Sequence, residues 1–289
     1  MRTVTPADLA RLLTLAAIWG FSFLFMRLIA PVLGVFLAAD LRLLIAGAAL
    51  SVWFFATKHS LDWRKHGKYY FVIGALNCSL PFAFFCFAAL HIPASYSAIF
   101  NATSPIFAAL VSVVWLGTAF TPQLGLGLAL GLGGVALVAK VGPAEHGPHF
   151  WHAVLSCTAA SLCYGIGGVY TKKLASHIPA KSIAAGSQCA AGILLLPFAA
   201  AGGGPTAEVT LGIALATLAI GLLCSAIAYL LYYRLIADIG PSRALTVTFL
   251  VPIFGMLWSA IFLGETITAA MVGGSLLVLA GTYGVGRAK

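Results

Sequence analysis

Apolar residues run along this chain in blocks separated by short polar or Gly/Pro breaks. Ten such blocks can be drawn, at roughly 9–30, 35–57, 69–90, 95–116, 122–141, 151–173, 181–200, 208–236, 241–263 and 267–286. A bilayer core of about 30 Å is crossed by about 20 mostly apolar helical residues, so each block predicts one transmembrane helix. The longest polar stretches, His59 to Lys68 and Gly142 to His149, are too short to bury a core of their own. The first block is too long for a signal peptide and lacks a small-residue cleavage site after its apolar run, so it is read as a helix.

Composition strengthens this reading. Of 289 residues 61% are hydrophobic and 8% charged, with a mean hydropathy of +1.03. Water-soluble domains carry about 25% charged residues. The expectation is an all-α membrane protein with ten transmembrane helices.

The net charge of +9 then becomes a statement about topology. With the N-terminus placed in the cytoplasm, thirteen basic residues fall at cytoplasmic ends: Arg2, Arg11, Lys58, Arg64, Lys65, Lys68, Lys172, Lys173, Lys181, Arg234, Arg243, Arg287 and Lys289. Three, Arg27, Arg42 and Lys140, fall on the other side. That asymmetry predicts an inner, cytoplasmic membrane location with both termini in the cytoplasm. The charge suits anionic lipid, and no basic run sits on a separable surface where nucleic acid would bind.

The chain also repeats itself. "PIFAALVSVVWLGTAFT" from Pro105 returns as "PIFGMLWSAIFLGETIT" from Pro252, and over Pro105–Gly134 and Pro252–Gly281 identity holds at 12 of 30 positions. Weaker echoes join "WGFSFLFMRLIA" at Trp19 to "YGIGGVYTKKLA" at Tyr164, and "HIPAS" at His91 to "DIGPS" at Asp238. The unit is five spans: 1–141, a connecting loop 142–150, and 151–289. Because five is odd, the second copy enters the membrane from the opposite side, which predicts inverted repeats and alternating access to a midplane site.

These features, the "WG…R" of the first helix (Trp19, Gly20, Arg27) and the paired P-I-F…L-G-x-x-x-T segments, resemble the EamA-type branch of the drug/metabolite transporter superfamily. The second copy keeps the "LGET" pattern at Leu263–Thr266, whereas the first departs from it with "LGTA" at Leu116–Ala119. Among relatives the chain is most similar to YddG-type exporters of aromatic and other amino acids. The resemblance implies export of a small-molecule metabolite through a central cavity walled by spans 1, 3, 4, 6, 8 and 9. On that architecture the cavity receives Trp19, Asn77, Pro81, Asn101, Ser104, Tyr164, Tyr229 and Thr248. Such rings, amides and hydroxyls suit an amphipathic solute such as an amino acid, and an aromatic face can hold an ammonium. The same residues also serve as helix glue and packing.

Charges missing from the spans narrow the chemistry. No Asp or Glu lies in the middle of any block: Asp40, Glu208 and Glu265 sit near outer ends, Asp8 and Asp238 near inner ones. A midplane carboxylate is the usual mark of a proton or cation site, so multidrug efflux of cations is the lesser alternative and a channel-like pore a further one. Arg27, Arg42 and Arg234 are read as snorkelling near span ends, with Asp40 and Arg42 serving topology or a rim ion pair. The missing acids and deep histidines also argue against an enzyme. No cofactor or metal is expected: Glu145, His146, His149 and His152 share a loop broken by Pro148, and six scattered cysteines read as packing. Pro105 and Pro252 are candidate hinges or static kinks. Glycines of spans 5 and 10 predict close packing as scaffold, or a dimer contact, leaving monomer and homodimer both open.

Overall fold

A computed structural model of the chain describes residues 5–144, 146–240, 244 and 246–287. Arg2, Glu145, Arg243 and Lys289, and the start of the ninth apolar block at 241–243, lie outside the described residues. No strand occurs among the described residues. The helices are α1 (Pro6–Leu33), α2 (Val35–Ala56), α3 (Trp63–His91), α4 (Ala94–Leu116), α5 (Pro122–Val141), α6 (Phe150–Leu174) and α7 (Ala180–Ala201). They continue as α8 (Leu211–Gly221, Leu222–Ile227 and Ala228–Ile239), α9 (Val247–Leu263) and α10 (Ala269–Arg287). Eight of them, α1 to α8, are long and apolar enough to cross a membrane; α9 and α10 are shorter apolar helices. The polar stretch before α3 is shorter than its composition suggests, because Trp63 to Lys68 already form helix, where Arg64, Lys65 and Lys68 are good helix formers.

Local sequence sets the helix ends. Thr5 and Asp8 form a capping box around Pro6: the Asp8 amide donates to Thr5 Oγ1 at 3.3 Å, and the Thr5 amide donates to Asp8 Oδ2 at 3.0 Å. Thr121 and Thr268 stand 147 residues apart and accept from the amides of Leu124 and Met271 at 3.3 and 3.4 Å. Gly117 and Gly264 end α4 and α9 with φ of +68° and +67°, a left-handed cap that a side chain would strain.

Helix pairing follows the repeat. α1 packs on α9 as α4 packs on α6; α3 meets α6 and α7 as α8 meets α1 and α2; α2 pairs with α7 and α5 with α10. Individual contacts come as twins. A Cβ added at Gly20 would meet Phe254, and one at Gly165 would meet Phe107; Gly47 faces Cys189 as Gly192 faces Leu44. Contact partners run in opposite order along α2 and α7, and likewise along α5 and α10, where Gly127 meets Gly281 and Gly134 meets Gly274. Both pairs of equivalent helices therefore run antiparallel.

The α5–α10 seam works by backbone contact. A Cβ on Gly134 would lie 2.5 Å from the Gly274 carbonyl oxygen, and one on Gly274 would lie 2.7 Å from the Gly134 carbonyl oxygen. Between apolar helices in lipid, this close approach replaces the hydrophobic drive available in water. Gly134→Val is expected to lower the melting temperature of the detergent-purified protein, by overpacking that costs about 1–3 kcal/mol. Gly133→Ala, with nothing within 4 Å of the added carbon, should leave it unchanged.

Candidate functional site

Two helices depart from α-geometry at the same place in the repeat. Ala75–Ser79 in α3 and Leu222–Ile227 in α8 are π-turns whose first residues are 147 apart. In each a serine hydroxyl donates to the carbonyl five residues back, Ser79 to Gly74 at 3.3 Å and Ser225 to Ile220 at 3.2 Å. Such turns re-aim the residues around them and cluster at functional sites.

Of the predicted cavity residues, Trp19, Asn77, Pro81, Tyr164 and Tyr229 lie at or near these turns. Trp19 of α1 meets Tyr229 of α8 edge-on, with ring centroids 6.2 Å apart, and meets Tyr232 at 5.4 Å. Tyr164 of α6 stacks on Phe85 of α3 at 6.3 Å, and Phe85 in turn meets Phe23 of α1 at 5.3 Å. Asn77, within the α3 π-turn, lies against Gly167, one turn beyond Tyr164. Pro81 is buried just past that turn, beside Phe82. Asn101 and Ser104 flank a break in α4 at Ala102–Thr103. Thr248 is half-buried in the first turn of α9.

The break in α4 has a chemical cause. Pro105 has no amide hydrogen for the Asn101 carbonyl, four residues back, and Ser104 Oγ donates to that oxygen at 2.6 Å. Thr103 Oγ1 does the same for the Phe100 carbonyl at 2.7 Å, and Ser161 Oγ of α6 adds a second donor at 3.0 Å. Pro105 therefore sits in the first turn of a new helical segment, whereas Pro252 lies inside the unbroken α9.

Arg42 overturns its reading as a snorkelling rim residue paired with Asp40. It lies seven residues into α2, about 10 Å from the helix start, and is only 5% exposed. Its Nε donates to Ser225 Oγ in the α8 π-turn at 2.9 Å, and its guanidinium carbon stands 3.7 Å over the Phe82 ring. Nη1 faces the Met26 sulfur at 4.0 Å. No carboxylate among the described residues pairs with it; residues two apart project to different sides of a helix, and Asp40 Oδ1 is itself buried without a hydrogen-bond partner. Arg42 also lies within electrostatic reach of Tyr164 and Cys78. A desolvated cation–π contact is worth about 2 kcal/mol, while burying an ion costs several, so these partners leave Arg42 undercompensated. The one sequence signal was its place among the three basic residues on the wrong side of the charge asymmetry.

Glu265 of the "LGET" segment is held by another helix. Its carboxylate accepts from the Ala94 amide at 2.7 Å, the Ser95 amide at 3.1 Å and Ser95 Oγ at 2.5 Å, capping the N-terminus of α4. Its equivalent in the first copy is Thr118, which carries no charge. A surface concavity of about 260 Å³ at Glu265, lined also by Pro93, Tyr96 and Met271, contains none of the predicted cavity residues. Toward the start of α1, Arg11 bridges Asp8 and Asp238, each at 3.1 Å, and Arg234 joins Asp238 at 2.9 Å, tying α1 to α8. The rings of His91, His149 and His152 lie side by side near the start of α6, with centroids 4.9 and 5.7 Å apart.

The EamA-like transporter family matches the chain twice, over residues 9–140 and 151–287, and the chain belongs to that family. It is a multi-pass membrane protein with the family's two-repeat fold. An uncharacterized transporter, YvbV, of Bacillus subtilis (strain 168) is 25% identical over 84% of this chain and 79% of its own length. A probable amino-acid metabolite efflux pump of Salmonella typhimurium (strain LT2) is 25% identical over 94% of this chain and 92% of its own. A probable terminal-alkyne amino-acid exporter of Streptantibioticus cattleyicolor is 27% identical over 65% and 62%. A solved crystal structure shares the fold with a TM-score of 0.66 at 18% identity, over 97% of this chain and 96% of that one.

The hydroxyl in the α4 break gives a direct test. Ser104→Ala should destabilise the protein by about 1 kcal/mol, the usual worth of one hydrogen bond, in a detergent melt. Ser104→Ala combined with Pro105→Ala, which returns an amide donor to the Asn101 carbonyl, should recover most of that loss.

Proposed function

We propose that this protein is a secondary transporter that exports small metabolites, with aromatic and other neutral amino acids as the substrate class. Ten membrane crossings, arranged as inverted units 1–141 and 151–289 around the loop 142–150, would place both termini in the cytoplasm of an inner-membrane protein. The antiparallel run of α2 against α7 and of α5 against α10 supports the inversion, and the thirteen-to-three distribution of basic residues supports the orientation. The substrate would pass between α1, α3, α4, α6, α8 and α9, opening alternately to each side. Glu265 on α4 would help to close the outer end, and the Arg11–Asp238 pairing the inner one.

The single observation that carries this reading is the ring-lined centre, where Trp19 meets Tyr229 and Phe85 meets Tyr164 around paired π-turns. Two relatives named as an amino-acid exporter and an amino-acid metabolite efflux pump support the substrate class. Efflux of cationic drugs draws no support from a centre whose buried charge is the positive Arg42.

Protein reconstituted in liposomes should show saturable counterflow of labelled phenylalanine or leucine. Trp19→Ala and Tyr164→Ala should each lower it about tenfold, the equivalent of ~1.4 kcal/mol of binding. Flux that rises linearly with concentration would mean a pore, and transport of cationic dyes without amino acids would replace the substrate class.

A further inference from the structure

We propose that Arg42, oriented by its bond to the Ser225 hydroxyl, forms an anion subsite that takes the carboxylate of the transported solute, an inference that rests on the transport reading and sharpens it. A guanidinium carries five N–H donors, and two of its edges can grip a carboxylate through parallel bonds. Here Nε–H is used by Ser225, Nη1 meets only a thioether, and the flat face covers Phe82. The Nη1/Nη2 edge has no oxygen acceptor among the described residues, although the side chain is 95% removed from solvent. A buried cation in a membrane bundle, lacking an internal counter-ion, calls for an anion from outside the chain.

The repeat supplies an internal control. α2 and α7 correspond at an offset of 145, the offset at which the pair Gly47–Cys189 exchanges with Leu44–Gly192. At that offset the twin of Arg42 is Ser187, and the twin of Ser225, at 147, is Cys78. At the twin position Ser187 Oγ donates instead to the Ala184 carbonyl of its own helix at 3.2 Å. The architecture thus accepts a small neutral pair at this contact, and the charge in one copy alone serves something other than packing.

The surroundings identify the solute. Tyr229 lies four residues beyond Ser225, just past the π-turn of α8, and its ring meets Trp19. A carboxylate held at the free edge of Arg42, beside Ser225, therefore leaves its side chain toward the Trp19–Tyr229 rings. An aromatic α-amino acid carries both the carboxylate and the ring. A cationic amine without a carboxylate meets the wrong charge.

The test uses the purified full-length protein in detergent, melted in the presence of L-phenylalanine, 3-phenylpropionate, L-phenylalaninamide or phenethylamine, with inorganic phosphate as a control for any anion. The first two are expected to raise the melting temperature in a saturable manner, and the amide and the amine are not. Arg42→Gln should abolish the carboxylate-dependent shift. Arg42→Lys, which keeps the charge but loses the fork, should raise the apparent Kd at least tenfold. Should Arg42→Gln fail to fold, Ser225→Ala decides, with an expected several-fold rise in apparent Kd and Arg42 still in place. Equal stabilisation by the amide, phosphate alone matching the carboxylates, an unchanged response in Arg42→Gln or Ser225→Ala, or no response to any ligand overturns the subsite. A carboxylate-specific shift without counterflow in liposomes would instead sink the transport reading and leave the anion site standing.

Discussion

In hydrocarbon, a carbonyl that loses its helical donor has no water to accept from, and the irregular points of this bundle meet that constraint with side-chain hydroxyls. Ser104 takes the Asn101 carbonyl that Pro105 abandons, and Thr103 and Ser161 both serve the Phe100 carbonyl. Ser79 and Ser225 serve the wider rungs of the two π-turns. Because each departure from α-geometry is satisfied on the spot, the helices can bend and widen at the centre while their ends stay regular. The candidate site occupies that widened centre.

Around it the near-twofold arrangement does two kinds of work. Where twin contacts are alike, as at Gly20–Phe254 and Gly165–Phe107 or along the glycine seam of α5 and α10, the two halves pack as one scaffold. Where the twins differ, chemistry enters. Arg42 replaces a neutral Ser187, and Glu265 replaces a neutral Thr118, so the centre gains one positive charge and one end of the bundle gains a carboxylate cap on α4. A perfectly symmetric chain would carry these charges twice or lack them altogether.

Much of this was legible from residue pattern. Blocks of about twenty apolar residues mark where helices run, because length against bilayer thickness is a one-dimensional constraint. The two P-I-F…L-G-x-x-x-T segments place Gly117 and Gly264 at matching helix ends, since a left-handed cap is a local demand on a single residue. The link between Trp19 and the α8 aromatics was partly legible, because equivalent positions in a repeat face a shared axis. Asn77 lies at a π-turn that no periodicity announces.

Arg42 marks the boundary between the two kinds of knowledge. By itself the sequence determined the apolar helices, their repeat, their caps and the scarcity of acids, all properties of residues near one another along the chain. Whether a basic residue seven positions into a helix reaches for water or is enclosed depends on what stands beside it. Only the tertiary structure decided that, by setting Phe82 of α3 beneath the guanidinium and Ser225 of α8 at its edge. Those neighbours lie 40 and 183 residues away, and burial is a sum over such distant neighbours that no local pattern contains.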